Sequence, residues 1–209
     1  MSDHTPHIEP TRSATGSLGP EYFDRLYAQS GDPWDFASSP YEAAKYAATL
    51  AALPHPRYSH ALELGCSIGV LTHQLAPRCE RLLATDISDA ALSQARTRCA
   101  ELPQVIFEQR DLTTDFPAGR FDLILVSEVG YYFSRPDLEA LRANIAAALA
   151  PGGDLLLVHY TGETNYPLTA EVVHETFLAW VGRDWKQAAE QRTNRYRLDL
   201  LTRFDGLTG

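Results

Sequence analysis

Between residues 61 and 160 the chain alternates short apolar runs with helical stretches, and this alternation restricts the fold more than any other feature. Five runs read as strands, at 61–64, 82–85, 105–108, 121–127 and 154–160. Helical patterns lie between them near 70–76, 89–100 and 136–150. The last opens on Ser134-Arg135-Pro136-Asp137 and closes on Pro151-Gly152-Gly153, a start and a stop signal. Compact apolar strands joined by helices predict a mostly parallel sheet covered on both faces, the doubly wound α/β class. Hydrophobic residues at 44% and charged residues at 22% exclude a disordered or fibrous chain.

The flanks read differently. Residues 1–20 are rich in Ser, Thr, Pro, His and Gly, with hardly an apolar residue, and are expected to form a disordered tail. Phe23, Leu26 and Tyr27 then fall at i, i+3, i+4, a short amphipathic helix ended by Ser30-Gly31. Ser39-Pro40-Tyr41-Glu42 is a capping box with proline at the first helical position, predicting a second helix to about Leu53. Near the other end, 169–181 reads as a helix and 196–204 as a strand that pairs antiparallel at the sheet edge. One domain over 21–209 is expected, with a helical lid (21–57), a cofactor-binding core (58–160) and a C-terminal helix and edge strand (161–209). A net charge of −9 opposes binding to nucleic acid or an anionic membrane surface. No run approaches the length of a membrane span, and the N-terminus lacks the apolar stretch of a signal peptide. Cys66, Cys79 and Cys99 form neither a disulfide framework nor a metal-binding spacing, so no metal is expected and a reducing cytoplasm is.

The chemistry centres on Ala61-Leu62-Glu63-Leu64-Gly65-Cys66-Ser67-Ile68-Gly69, a strand running into a turn of small residues and then a helix. Small residues there let the backbone approach a ligand closely. A dinucleotide fold needs G-x-G-x-x-G, and Val70 occupies the place of its last glycine. Gly65-x-Ser67-x-Gly69 matches the nucleophile elbow of α/β-hydrolases, with Asp111 or Asp122 and then His159 following in the order of a Ser-Asp-His triad. A third chemistry places an acidic residue before a G-x-G-x-G loop and further carboxylates at the ends of successive strands, where open parallel sheets bind ligands. Glu63, Asp86, Asp111 and Glu128 occupy those places in order.

In this third pattern the chain resembles the class I S-adenosyl-L-methionine (SAM) methyltransferases from Tyr58 to Tyr160, with Ser67 in place of the middle loop glycine. The resemblance implies a Rossmann-like fold and a cofactor site of Glu63, Gly65, Cys66, Ser67, Gly69, Asp86, Ile87, Asp111, Leu112, Ser127 and Glu128. Asp86 would accept hydrogen bonds from the ribose hydroxyls, and Asp111 would face the adenine amino group. A non-catalytic SAM-binding protein shares these features and stays open beside the enzyme.

A narrower likeness extends upstream. Tyr22-Phe23, Asp32-Pro33-Trp34 and Pro40-Tyr41-Glu42 resemble the entry segment of the nodulation protein S (NodS) family, Val129-Gly130-Tyr131-Tyr132 is similar to that family's stretch after the fourth strand, and 75–82 resembles its approach to the second strand. That family methylates the amino nitrogen of a deacetylated chitooligosaccharide, which implies a small-molecule or glycan acceptor here. It adds Tyr22 and Trp34 to the cofactor site. Glu128, His159 and Tyr132 are the candidates to take a proton from the acceptor, although transfer from a sulfonium requires no obligate base.

Overall fold

In the computed structural model, which describes residues 16–182 and 184–204, one seven-stranded sheet runs through the molecule in the order β3-β2-β1-β4-β5-β7-β6. Its first five strands, β1 (Ala61–Leu64), β2 (Leu82–Asp86), β3 (Val105–Gln109), β4 (Phe121–Ser127) and β5 (Leu149–Tyr160), are parallel. β1 is central, pairing with β2 through Glu63 beside Ala84 and with β4 through Glu63 beside Leu125. All four of its residues are buried, as a strand covered on both faces requires. Alternate residues of the central strands point to opposite faces. Leu62, Ile124, Val126, Leu155 and Leu157 enter one core cluster, and Ala61, Leu123, Leu125, Leu156 and Val158 the other. Each fully buried leucine or valine contributes about 1.5–3 kcal/mol relative to an exposed one.

Among the described residues six α-helices connect and cover the strands: α1 (Pro20–Gln29), α2 (Pro40–Ala52), α3 (Val70–Leu75), α4 (Asp89–Arg98), α5 (Arg135–Ala148) and α6 (Ala170–Leu178). Their starts follow the sequence signals. Ser39, Ser88, Ser134 and Thr169 each accept the backbone N–H three residues on, and α1, α2 and α5 carry proline in the first turn.

The structure departs from the sequence reading at three places. β5 begins at Leu149, so Pro151-Gly152-Gly153 lies within the strand and not ahead of it. The antiparallel strand β7 (Tyr196–Arg203) pairs with β5 as expected, but it is not the edge. A further strand, β6 (Trp185–Arg192), pairs with β7 and closes the sheet. Its sequence WKQAAEQR is almost wholly exposed, so it lacks the apolar alternation that marks a half-buried strand. Residues 1–15 of the expected tail lie outside the described residues, whereas Ser17 and Leu18 are buried. The Leu18 N–H donates to the Tyr132 carbonyl at 2.9 Å, and the Ser17 hydroxyl accepts from the Ser134 N–H at 2.7 Å, pinning this stretch to the start of α5. None of the described helices is long and apolar enough to cross a membrane.

Candidate active site

The carboxyl ends of β1 and β4 lie side by side at the point where the order of strands reverses, and a cleft opens there. The chain leaves β1 at Gly65 with φ +72°, and a Cβ at that position would stand 2.9 Å from the Val129 Cβ, so only glycine lets the two loops meet. Ser67 follows at φ +52°, a conformation that favours glycine. Its N–H donates to Asp86 Oδ2 at 2.8 Å, while the Ser88 N–H donates to Asp86 Oδ1 at 2.9 Å. Asp86 thereby ties the loop to the end of β2. Burial raises its carboxyl above the ordinary range against the pull of these N–H groups. The Ser67 hydroxyl meets the Tyr27 hydroxyl of α1 at 2.5 Å.

Glu63 is the other buried acid of the cleft, pushed up to about 8 by burial, with the Thr72 hydroxyl offsetting part of the rise. Its Oε2 has no hydrogen-bond partner of good geometry among the described residues. Such an atom in a fold this well satisfied is a place for a ligand group.

Trp34, Glu63, Gly65, Cys66, Ser67, Asp86, Ile87, Asp111, Leu112, Ser127 and Glu128 all line this cleft, which spans about 910 Å³ including the part open to solvent. Asp111 is fixed by the Thr113 N–H and hydroxyl, both donating to its Oδ1. Three sequence candidates lie elsewhere. Tyr22 is 1% exposed and packs edge-on against Phe23, because the inner face of α1 is a core face. Gly69, at φ +76°, sits behind the loop, where a Cβ would come 2.9 Å from the Ala95 Cα of α4. Its role is helix packing. His159 is fully buried and lines no cleft.

A second cavity, of about 790 Å³ including the part open to solvent, adjoins the first and shares Trp34, Phe36, Glu128 and Tyr132 with it. Glu128 is the hub between them. It is held at φ +57°, its Oε1 accepts from Lys45 Nζ at 2.6 Å, and its Oε2 accepts from the Tyr131 hydroxyl and from the Tyr160 N–H at 3.0 Å. Among the described residues the non-glycine residues with positive φ are Asp35, Ser67 and Glu128, and each lines one of the two cavities. Backbone strain among the described residues is concentrated at the clefts. Lys45 is 1% exposed and stands between Glu128 and Glu42, 3.0 Å from Glu42 Oε1. Burial works to neutralise this ammonium, but the two carboxylates outweigh it and keep the charge. Tyr132 lines both cavities, and burial lifts its hydroxyl well above the usual tyrosine range, so it is present as phenol and not as a base.

Behind Glu128 runs a buried chain of hydrogen bonds. The Gly130 N–H donates to His159 Nε2 at 3.0 Å, which leaves the proton on His159 Nδ1 to meet His174 Nε2 at 3.1 Å. His174 Nδ1 then donates to Asp199 Oδ2 at 2.5 Å, where Arg197 Nε also donates at 2.7 Å. Both imidazoles are lowered below the ordinary histidine range by burial, although Asp199 pulls His174 the other way. His159 therefore anchors the turn after β4 from behind, and its ring nitrogens are both engaged.

Sequence reasoning missed Tyr166, Arg195 and Lys45 as wall residues. For Lys45 a signal was available. The buried face of α2 is Glu42, Lys45, Tyr46 and Thr49, at i, i+3, i+4 and i+7, so an ion pair occupies a stripe that is normally apolar.

The strand order, the parallel core with an antiparallel pair at one side and the cleft at β1 and β4 define the Rossmann-like fold of class I methyltransferases. The profile of the nodulation protein S (NodS) family matches residues 24–164, and the chain belongs to that family. Nodulation protein S of Rhizobium tropici is 34% identical over 129 residues, which cover 60% of this chain and 53% of the relative. The chain spans between 53% and 61% of the length of the NodS relatives from three rhizobial species that it matches at 33–34% identity. Among solved structures, the N-methyltransferase NodS from Bradyrhizobium japonicum WM9, in complex with S-adenosyl-L-homocysteine, superposes with a TM-score of 0.77 at 25% identity, covering 88% of this chain and 97% of that one. A candidate methyltransferase from Pseudomonas syringae is 38% identical with a TM-score of 0.69, covering 78% of this chain and 99% of that one.

The serine hydrolase alternative is not supported by the site. Its triad does not form among the described residues. The Ser67 hydroxyl meets Tyr27, and no histidine lines either cavity. Asp122 accepts from the Ser59 and His60 N–H groups at the start of β4, the end opposite the cleft.

Proposed function

We propose that this protein transfers the methyl group of S-adenosyl-L-methionine to a small-molecule or oligosaccharide acceptor, and that the acceptor atom is the amino nitrogen of a deacetylated chitooligosaccharide-like sugar. The observation that carries the reading is the succession of Glu63, Asp86, Asp111 and Glu128 from or just beyond the carboxyl ends of β1 to β4 into one cleft, with Glu63 Oε2 still lacking a partner. This donor set suits a nucleoside bearing a positively charged tail. Asp86 would receive the ribose hydroxyls, Asp111 the adenine amino group and Glu63 the cationic end, while Ile87 and Leu112 flank the base. When bound, the cofactor supplies a methyl already activated on a sulfonium, so no protein nucleophile is needed.

The chain's own work is then to position and to exclude water. Tyr27, Trp34 and Phe36 come from the segment 21–57 and line the cleft, which supports this segment as the lid over the cofactor, with 58–160 as the core and 161–209 as the C-terminal part. Glu128 stands where cofactor and acceptor would meet. A cytoplasmic location fits three unpaired cysteines, all buried.

Calorimetry with S-adenosylhomocysteine, followed by transfer of labelled methyl from SAM to a deacetylated chitotetraose, tests this. Binding together with labelled sugar is the expected result. Absence of any binding to S-adenosylhomocysteine overturns the reading, and binding without transfer to this sugar overturns the assignment of the amino sugar as acceptor.

A further inference from the structure

Ser127 is the last residue of β4 to pair with β5, opposite Val158, and the Glu128 N–H still reaches the Val158 carbonyl at 2.9 Å. At φ +57° the chain then turns out of the sheet, and the buried amide of Gly130 has no strand carbonyl beside it. A buried N–H without an acceptor is costly, and a side chain supplies one here. His159 Nε2 accepts from the Gly130 N–H at 3.0 Å. Residue 130 has to be glycine for this approach, since a Cβ would stand 2.9 Å from Nε2 and 2.5 Å from Val173 Cγ1. The next residue of β5 grips the same turn, with the Tyr160 N–H donating to Glu128 Oε2 at 3.0 Å. Between the two, the Tyr131 ring packs edge-on against His159 and its hydroxyl donates to Glu128.

We infer that His159 is a positioning residue for methyl transfer: through the Gly130 amide it sets Glu128 and Tyr132 at the junction of the two cavities, where cofactor and acceptor would meet. The inference rests on the methyltransferase reading and adds to it a side chain that lines neither cavity. Glu128 and Tyr132 are the residues of this turn that line both, and the anchored amide lies between them in the chain. The ring is itself held in one orientation. His159 Nδ1 donates to His174 Nε2 at 3.1 Å, and His174 Nδ1 donates to Asp199 Oδ2 at 2.5 Å. With one proton on each imidazole, the carboxylate at the far end of the chain keeps His159 Nε2 as an acceptor. A turn that loses this anchor is free to shift, and misplacement of a positioned group by about 1 Å costs on the order of a hundredfold in rate.

The test compares two substitutions in the full chain. In His159→Gln the carboxamide oxygen reaches the place of Nε2 and still accepts from Gly130, while the bond to His174 is lost. In His159→Asn the shorter carboxamide keeps the place of Nδ1 and leaves the Gly130 amide unpaired. Each variant removes the ring and one hydrogen bond, so a purely structural role predicts similar thermal midpoints and similar activities. Positioning predicts a split. With labelled SAM and deacetylated chitotetraose, kcat of the Asn variant should fall at least about tenfold, while that of the Gln variant stays within about threefold of the wild type. The KM for the sugar and the affinity for S-adenosylhomocysteine should move less than about threefold in both. Equal values of kcat in the two variants, or a larger loss in the Gln variant, overturn the inference. Should neither variant fold, the same pair at His174 replaces them, because His174→Gln keeps the acceptor for His159 Nδ1 and His174→Asn does not. Again a higher kcat for Gln is expected, and equal values refute the role. Failure of the wild type to bind S-adenosylhomocysteine, or to methylate the sugar, is a different result, since it removes the reading on which the inference rests.

Discussion

The two adjoining cavities share a wall and are built in opposite ways. In the first, the carboxylates Glu63, Asp86, Asp111 and Glu128 come from strand ends or from the turns that directly follow them, and the hydrogen bonds that orient Asp86 and Asp111 come from backbone or hydroxyl groups close to the strand ends. In the second, the walls come from four separate stretches around Asp35–Lys45, Glu128–Tyr132, Tyr160–Tyr166 and Arg195, held by side-chain bonds between them. A site made from strand ends follows from the sheet itself. A site made from distant side chains depends on how the helices and the C-terminal hairpin dock.

The largest expected effect lies behind the second cavity. His174→Ala leaves the His159 Nδ1–H without its acceptor and takes one donor from buried Asp199, so stability should fall by about 3 kcal/mol in urea denaturation. Affinity for S-adenosylhomocysteine should change less than threefold, because the chain supports the turn after β4 and not the loop after β1. An equal loss in both measurements breaks the separation of the two cavities.

Asp86→Ala acts on the first cavity. Removing a charge-assisted acceptor should weaken S-adenosylhomocysteine binding by about ten- to a hundredfold, or roughly 1.5–3 kcal/mol. Unchanged affinity in calorimetry rules out Asp86 as a cofactor ligand.

The third expectation concerns pH. The folded-state pKa of Glu63, about 8, lies above its ordinary 4.5, so the fold prefers the protonated form. Its stabilising contribution is complete below pH 4.5 and is lost as pH rises through 8, at no more than about 1.4 kcal/mol per pH unit. Stability of the wild type relative to Glu63→Gln should therefore decline between pH 6 and 8. A pH-independent difference between the two proteins contradicts the buried, unpartnered state of Glu63.

The smallest effect is expected for Ser67→Gly. Relief of a left-handed backbone at φ +52°, roughly 1 kcal/mol, offsets loss of the Tyr27 hydrogen bond, which is of similar size. Affinity for S-adenosylhomocysteine should stay within about threefold. A loss of a hundredfold makes the hydroxyl a ligand in its own right.

Strand–helix alternation, the caps at Ser39 and Ser134 and the glycine at position 65 were legible from the sequence, because each expresses a rule of local geometry or periodicity. So were the carboxylates at the strand ends, since a parallel sheet delivers such positions to one edge whatever surrounds them. Tertiary structure alone decided the rest. Strand β6 is polar and exposed, and it forms because β7 offers it a row of unpaired backbone groups. Tyr22 faces the core and Tyr27 the Ser67 loop although both lie on one short helix, a difference set by how α1 docks. His159 reads in sequence as a base beside the cleft, but its partner His174 lies on α6 and the two meet only when that helix packs on β5. Glu42, Lys45 and Glu128 come together in the same way, since a side-chain charge recognises whatever folding brings within reach and carries no record of its partner along the chain.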